Sequence, residues 1–315
     1  MAERGVVIKG IGGFYFIDTG KEVFRAKGRG ILKRNKSLII IGDEVMATKP
    51  APGDDDGVII ELFPRKNYFS RPPVSNIDKM VVVFSVTDPE PNLEVVDRLL
   101  VMAENKAIEP IVCINKSDLD RDDLVDKLVS TYKPIYPTVV TSCIEKSVFS
   151  DNGNDLYDKS DVSAPDESIT SGVDALIGLI DGFKVAFAGP SGVGKSSLTN
   201  ALIPEAKMET GSISRKTSRG KHTTRHVEMI PFRNGYIYDT PGFTSFDLEG
   251  VEEEQLQKCF PEIEEASEKC RFRNCVHIKE PECNVISEVD SGNISLSRYN
   301  SYLSCLKEIR ERNEY

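Results

Sequence analysis

Short apolar runs broken by glycine and polar turns fill the first seventy residues. Gly5-Val6-Val7-Ile8-Lys9 is followed by Gly12-Gly13 and then by Phe14-Tyr15-Phe16-Ile17-Asp18. Leu38 to Ile41 precedes Gly42-Asp43, and Val58 to Leu62 comes next. Strands this short and closely spaced predict a small β-barrel. The pattern changes after Pro72-Pro73. Met80 to Ser85 is almost continuously apolar, as a strand buried in a parallel sheet must be. Asn92 to Asn105 places Leu93, Val96, Leu99 and Leu100 on one helical face. Ile111 to Ile114 is a second buried strand, which makes a βαβ unit and implies a mostly parallel sheet. A helix over Asp122–Ser130 and strands over Pro137–Thr141 and Phe183–Ala188 continue the alternation. Val227–Phe232 and Tyr236–Tyr238 flank Asn234-Gly235, a strong hairpin signal. A helix over Ser297–Glu311 ends the pattern.

Composition narrows the class. The chain has 315 residues, of which 39% are hydrophobic and 29% charged. That is an ordinary globular balance, and at ~150 residues per domain it suggests two domains. No apolar run approaches the ~20 residues of a membrane span. Met1 to Gly10 holds Glu3, Arg4 and Lys9 around a short apolar stretch, unlike a secretory signal. A cytoplasmic protein without membrane contact is therefore expected. The net charge of -10 argues against a nucleic-acid partner if charge is spread evenly. It is not. Lys21 to Lys36 carries seven positive residues against one acid, Glu22. Such a run is either a solvated loop or, on a small barrel, an oligonucleotide surface. Asp151 to Glu167 holds six acids and one lysine among Ser, Asn and Gly, the composition of a flexible insertion. A further acidic stretch runs from Glu249 to Glu268.

The chemistry lies in three motifs. Gly189-Pro190-Ser191-Gly192-Val193-Gly194-Lys195-Ser196 fits G-x-x-x-x-G-K-[ST] directly after an apolar strand. Its glycines let backbone N–H groups surround phosphates, and the following helix points its positive end at them. Lys195 reaches the β- and γ-phosphates, and Ser196 ligates Mg²⁺. Asn115-Lys116-Ser117-Asp118 is the N-K-x-D pattern of guanine recognition. Asp118 accepts from the ring N–H and exocyclic amine, Asn115 braces the phosphate loop, and the Lys116 stem covers the base. Adenine would leave Asp118 unpaired, at about 1–3 kcal/mol or more. Thr141-Ser142-Cys143, after the next strand, offers a backbone contact to the guanine oxygen. Asp239-Thr240-Pro241-Gly242 ends the hairpin, where Asp239 can hold Mg²⁺ through water and the Gly242 amide can sense a γ-phosphate. Between them Lys207 to His226 reads as a switch loop, with Thr223 or Thr224 for Mg²⁺ and the γ-phosphate. Phe243 stands where Ras-like enzymes place a water-orienting Gln, so intrinsic hydrolysis is slow unless another group helps. His222, beside the switch threonines, is the candidate in this chain. N-K-x-D precedes the phosphate loop, the reverse of the usual order, so the sequence looks circularly permuted.

Seven cysteines in a cytosolic chain argue against disulfides. Cys270, Cys275, His277 and Cys283 give C-x4-C-x-H-x5-C, a closed tetrahedral set for one structural zinc, against the competing readings of free buried cysteines or a redox pair. Arg271, Arg273 and Lys279 with Phe272 surround it and suit an RNA surface as well as a solvated rim.

In this order the motifs resemble the ribosome small-subunit-dependent GTPase A family of circularly permuted bacterial GTPases, over nearly the whole chain. The residues that carry the resemblance are Asn115-Lys116-Ser117-Asp118, Gly189 to Ser197, Gly220-Lys221-His222-Thr223-Thr224, Asp239 to Phe243 and the Cys/His cluster. It implies a multidomain α/β protein: an OB-like barrel at 1–71, a circularly permuted P-loop GTPase domain at 72–247, and a helical zinc-binding domain at 248–315. It implies late maturation of the small ribosomal subunit, contact with its rRNA, and GTP hydrolysis to GDP that the subunit stimulates. The family's proposed switch histidine falls on His222, and its hydrophobic replacement of Gln on Phe243. Pro190 departs from a frequent Gln, and the 151–167 stretch lengthens the path from base motif to phosphate loop. A monomer is expected. Two other readings stay open: a nucleotide-gated RNA-binding module with negligible turnover, which the missing Gln favours, and an ATPase or small-molecule kinase, if N-K-x-D is accidental.

Overall fold

The computed structural model describes residues 2–28, 38–51, 53–143, 169–204, 227–243, 248 and 250–313. Along the chain come β1 (Ala2–Ile11), β2 (Phe14–Asp18), β3 (Val23–Gly28), β4 (Glu44–Thr48), β5 (Gly57–Leu62), β6 (Tyr68–Ser70), β7 (Pro73–Ser75) and β8 (Lys79–Ser85). Then follow α1 (Leu93–Asn105), β9 (Glu109–Asn115), α2 (Leu124–Tyr132), β10 (Thr138–Thr141), β11 (Ile169–Ser171), α3 (Val173–Ile180), β12 (Lys184–Ala188) and α4 (Lys195–Leu202). The last elements are β13 (Glu228–Phe232), β14 (Gly235–Phe243), α5 (Glu253–Leu256), α6 (Pro261–Ser267), α7 (Asn284–Asp290) and α8 (Leu296–Asn313). The fold is multidomain α/β. Its described residues divide into two compact units, one within 1–80, 180–187 and 214–243, the other within 81–179, 188–213 and 244–315.

In the first unit β1 to β5 close into a barrel. Antiparallel pairings join β1–β2, β2–β3 and β4–β5, β3 pairs parallel with β5, and β1–β4 closes the ring. Alternation drives it: Val7, Ile17, Phe24, Ala26, Val45, Ala47 and Ile59 point inward and are buried. Two expectations need correction here. The basic stretch from Lys21 is not all loop, because Val23-Phe24-Arg25-Ala26 alternates and forms β3. Residues 29–37 lie outside the described residues. Leu38 to Ile41 is not a strand either. The buried Asp43 carboxylate accepts from the Ile40 N–H at 2.8 Å and turns the chain, so the strand starts at Glu44. Gly42 sits in this turn at φ +93°, where a Cβ would come 2.1 Å from the Ser75 carbonyl oxygen.

The β13–β14 hairpin belongs to the same unit. Its register pairs Phe232 with Gly235, so the two turn residues are Arg233-Asn234. Gly235 is needed for another reason: a Cβ there would lie 2.2 Å from the Phe183 carbonyl oxygen. β13 pairs with barrel strand β1 at Lys9↔Glu228, and Glu228 faces Asp239 on β14.

In the second unit the strand order is β11-β10-β9-β8, with β9–β10 and β10–β11 parallel. Val81 to Ser85 and Pro110 to Asn115 are buried throughout, as the apolar runs 81–84 and 110–114 require. Asn92 caps α1 by accepting from the Val95 N–H. The C-terminal helices share one core that includes Val101 of α1, Phe260, Ile263, Tyr302, Leu306 and Ile309. Arg298 of α8 crosses this core at 0% exposure. Its guanidinium donates to Asp97 Oδ1 on α1 at 2.9 Å and to both Glu262 oxygens on α6 at 2.7 and 3.1 Å. The Phe260 ring lies 4.6 Å from its carbon, and the Tyr132 hydroxyl also donates to Asp97.

Removing Arg298 leaves two acids without their cation, one fully buried. Arg298→Ala is expected to cost about 3–5 kcal/mol in urea unfolding. Replacing the Arg298–Asp97 pair together by Met and Leu should cost less, because no uncompensated charge is left at position 97.

Candidate functional site

The phosphate loop lies in the second unit, between β12 and α4. Its glycines are dictated by close approaches. A Cβ on Gly189 (φ +147°) would lie 2.0 Å from the Val83 carbonyl oxygen, and one on Gly194 (φ +95°) 2.3 Å from Asn115 Nδ2. Lys195 starts α4 and folds back over the loop, donating to the carbonyl oxygens of Gly189 at 2.7 Å and Pro190 at 2.6 Å. Burial pushes its ammonium down to about 8. Ser191 and Gly192 are exposed at the top of the loop and Val193 is buried, while Ser196 and Ser197 lie on the first turn of α4.

The N-K-x-D segment meets this loop. Asn115, at the end of β9 and 1% exposed, donates from Nδ2 to the Val193 carbonyl at 2.9 Å. Its Oδ1 accepts from Thr141 Oγ1 at 2.9 Å. Lys116 takes the left-handed conformation (φ +62°) and donates from Nζ to the Asp88 carbonyl. Ser142 Oγ donates to Asp118 Oδ1 at 2.6 Å, and Cys143 follows at the surface of the same segment. The base motif, the Ser142-Cys143 segment and the phosphate loop are thus tied together by side-chain hydrogen bonds. The hold of the Thr141 side chain on Asn115 was not anticipated from sequence; a threonine ending a strand carries no signal for it by itself.

Asp239 lies on β14 in the first unit. Burial raises its carboxyl, and the cross-strand carboxylate of Glu228 adds to the rise. Glu228 is itself ion-paired with Lys9 of the barrel. Gly242 falls within β14. His222, Thr223 and Thr224 lie outside the described residues.

The Cys/His cluster assembles as its spacing predicts. The ligand atoms of Cys270, Cys275, His277 and Cys283 all lie within 4.8 Å of one another. A tetrahedral zinc sets S···S edges near ~3.8 Å and S···N edges near ~3.5 Å. Cys270 Sγ is 3.9 Å from Cys283 Sγ, and His277 Nδ1 is 3.7 and 3.3 Å from those two sulfurs. The donor set therefore fits a metal ion of that size. Burial pushes the Cys275 thiol up to about 12, helped by Cys283 and Cys270 beside it, and a bound cation reverses that balance. Burial also lowers His277, which favours the neutral ring a metal needs. The loop is pinned from two sides. Glu280 accepts from the backbone N–H groups of Val276, Ile278 and Lys279 at 2.8–2.9 Å. Burial opposes ionisation there, but those bonds hold its carboxyl down at about 2. Tyr299 and Tyr302 of α8 donate to the carbonyls of His277 and Val276.

Comparison with known proteins gives concordant results. The family model described as RsgA GTPase matches residues 62–164 and 151–249, and the RsgA N-terminal domain matches residues 4–59. The small ribosomal subunit biogenesis GTPase RsgA of Alkaliphilus metalliredigens is 40% identical over 314 residues, 99% of each chain. That of Carboxydothermus hydrogenoformans is 41% identical over 308 residues, 97% of each. Among solved structures, YloQ, a circularly permuted GTPase, superimposes with a TM-score of 0.77 at 34% identity, covering 99% of this chain and 96% of that one. YjeQ from Thermotoga maritima gives 0.80 at 30% identity, over 98% and 99%.

The Lys195 geometry yields a pH dependence. If a nucleotide's phosphates meet the protonated lysine, affinity should hold below its value of about 8 and fall above it. Between pH 7 and 9 the Kd for a guanine nucleotide should rise about tenfold in a titration of intrinsic binding. Lys195→Ala should bind more weakly and lose most of that slope.

Proposed function

Because the chain belongs to the RsgA GTPase family, we propose that this GTPase acts on the small ribosomal subunit late in its maturation, hydrolysing GTP to GDP and phosphate with turnover that the subunit stimulates. The observation that carries this reading is the brace from Asn115 to Val193, which joins a guanine-type motif to a phosphate loop. Its sequence relatives are named for small-subunit biogenesis. The protein works in the cytoplasm as a monomer. The barrel at 1–71 meets rRNA, the GTPase domain spans 72–247, and the zinc-binding domain spans 248–315.

The chain's own groups divide the work. Backbone N–H groups from Ser191 to Ser196 surround the phosphates, Pro190 shaping the loop without an N–H of its own, and Lys195 leaves the Gly189 and Pro190 carbonyls to meet β- and γ-oxygens. Ser197 extends the same helical turn. Asp118, held by Ser142, accepts the two guanine donors, and Lys116, held by the Asp88 carbonyl, covers the base. The backbone at Ser142-Cys143 meets the guanine oxygen. Ser196, Thr223 or Thr224, and Asp239 through water are the residues that would hold Mg²⁺, which offsets the charge of the phosphate oxygens. Gly242 senses the γ-phosphate. Phe243 cannot orient water, so His222 does so when contact with the subunit completes the catalytic site. Cys270, Cys275, His277 and Cys283 hold one zinc in a closed set, whose role is to fix the loop rather than to react.

The deciding measurement is steady-state GTP hydrolysis with and without purified small subunits. Stimulation of at least tenfold, about 1.4 kcal/mol off the barrier, is expected. His222→Ala should keep GTP binding and lose most of the stimulation. Equal rates with and without subunits would instead favour the nucleotide-gated RNA-binding module. Asp118→Ala should cut the preference for GTP over ATP by about 1–3 kcal/mol; an unchanged preference would return the ATPase reading.

A further inference from the structure

Gln257 opens a short 3₁₀ turn, Gln257–Cys259, and its side-chain amide sits between the Cys/His cluster and α6. Gln257 Oε1 lies 3.0 Å from His277 Nε2. Gln257 Nε2 lies 2.6 Å from Glu264 Oε2 and 2.8 Å from Ser267 Oγ. Ser267 Oγ in turn donates to the Glu264 main-chain carbonyl at 2.7 Å.

Counting protons leaves one arrangement. The Glu264 carboxylate can only accept, and the Ser267 hydroxyl hydrogen is already committed. Both therefore take hydrogens from the Gln257 NH₂ group. That turns Oε1, which can only accept, toward His277. The imidazole must then carry its proton on Nε2 and keep its lone pair on Nδ1. Nδ1 is the atom that faces Cys270 and Cys283, at 3.7 and 3.3 Å.

We propose that Gln257 is a positioning residue of the metal centre: Glu264 orients the Gln257 amide, which fixes His277 in the Nε2–H tautomer with Nδ1 presented as the fourth zinc ligand. Metal-bound histidines commonly donate their outer N–H to such a partner, and losing it weakens metal binding about 10–100-fold. An amide oriented by a carboxylate does here what a carboxylate does directly elsewhere. The inference rests on the cluster being a zinc site. It also ties that site to α6, the helix whose Glu262 holds Arg298.

The test uses the full chain and reads zinc, not turnover. Wild-type protein is first assayed by elemental analysis and by competition against a chromophoric chelator. Absence of zinc there overturns the zinc reading and this inference with it. With wild-type binding established, Gln257→Ala should weaken zinc about 10–100-fold. Gln257→Glu should also weaken it, because two carboxylates then face each other. Adding Glu264→Gln to that variant restores one acceptor between two donors and should recover most of the affinity. Unchanged affinity in Gln257→Ala, or no recovery in the double variant, overturns the inference while the zinc site stands. A measurement free of variants uses nitrogen-15-labelled imidazoles of the zinc-loaded chain, which has three histidines. One ring should carry its proton on Nε2 with Nδ1 bound to metal. A His277 bound through Nε2 would overturn the assignment.

Discussion

The nucleotide-binding half of this protein depends on one side-chain amide. Asn115 ends a buried strand, so its position is fixed by the sheet rather than by a loop. Its Nδ2 reaches the Val193 carbonyl and its Oδ1 is held by Thr141. A residue with a Cβ at 194 would collide with that amide at 2.3 Å. Gly194 is thus required both by the phosphate loop's backbone and by the space Asn115 occupies. This contact also explains how the reversed motif order is tolerated. What recognition needs is that two loops at the ends of strands meet in space. The hydrogen bonds from Thr141 through Asn115 to Val193 hold regardless of which segment comes first along the chain.

The C-terminal segment is anchored by two different kinds of interaction. One is apolar, with α8 and α6 packed against Val101 of α1. The other is a buried charge triad, Asp97–Arg298–Glu262, which adds little net stability but penalises any arrangement that separates its members. The metal cluster uses the same two helices. Tyr299 and Tyr302 of α8 hold its loop backbone, and Gln257 links His277 to α6. A short segment with four sulfur and nitrogen donors therefore does not have to build a core alone. It borrows one from α1, and a metal held by those donors would add a cross-link of its own.

Much of this was legible in the sequence, for identifiable reasons. The buried strands hold unbroken apolar runs at 80–84 and 110–114, and α1 announces itself by its period. That Gly189 to Ser196 would meet Asn115, and that Cys270, Cys275, His277 and Cys283 would converge, could be expected because the chemistry each motif suggests demands fixed residues at fixed spacings. What escaped was set by contacts distant in sequence. β3 hid inside a basic stretch because its outward residues, Arg25 and Lys27, dominate the composition while Phe24 and Ala26 face in. The run Leu38–Ile41 looked like a strand, but the turn centred on Asp43 depends on Arg65 and Ser75, far along the chain. Thr141, Gln257 and Arg298 act through partners that no local pattern indicates.

The charge distribution shows the same difference. The net value of -10 conceals basic elements, yet Arg4, Arg25, Lys27 and Lys49 on the barrel are not bare cations. Arg25 and Lys27 both lie over the Phe14 ring and both pair with Asp56. Arg4 pairs with Glu44, and Lys49 with Glu3 and Glu22. Surface pairs of this kind contribute little to stability, so phosphate oxygens can replace the carboxylates at small cost. The displaced acid stays nearby, however, and repels a phosphate that approaches from the wrong side. If the barrel meets rRNA as proposed, its affinity comes from exchanging partners rather than from neutralising a free patch. A face built this way discriminates by geometry: it rewards only a backbone that reaches Arg25 and Lys27 while leaving Asp56 turned toward solvent.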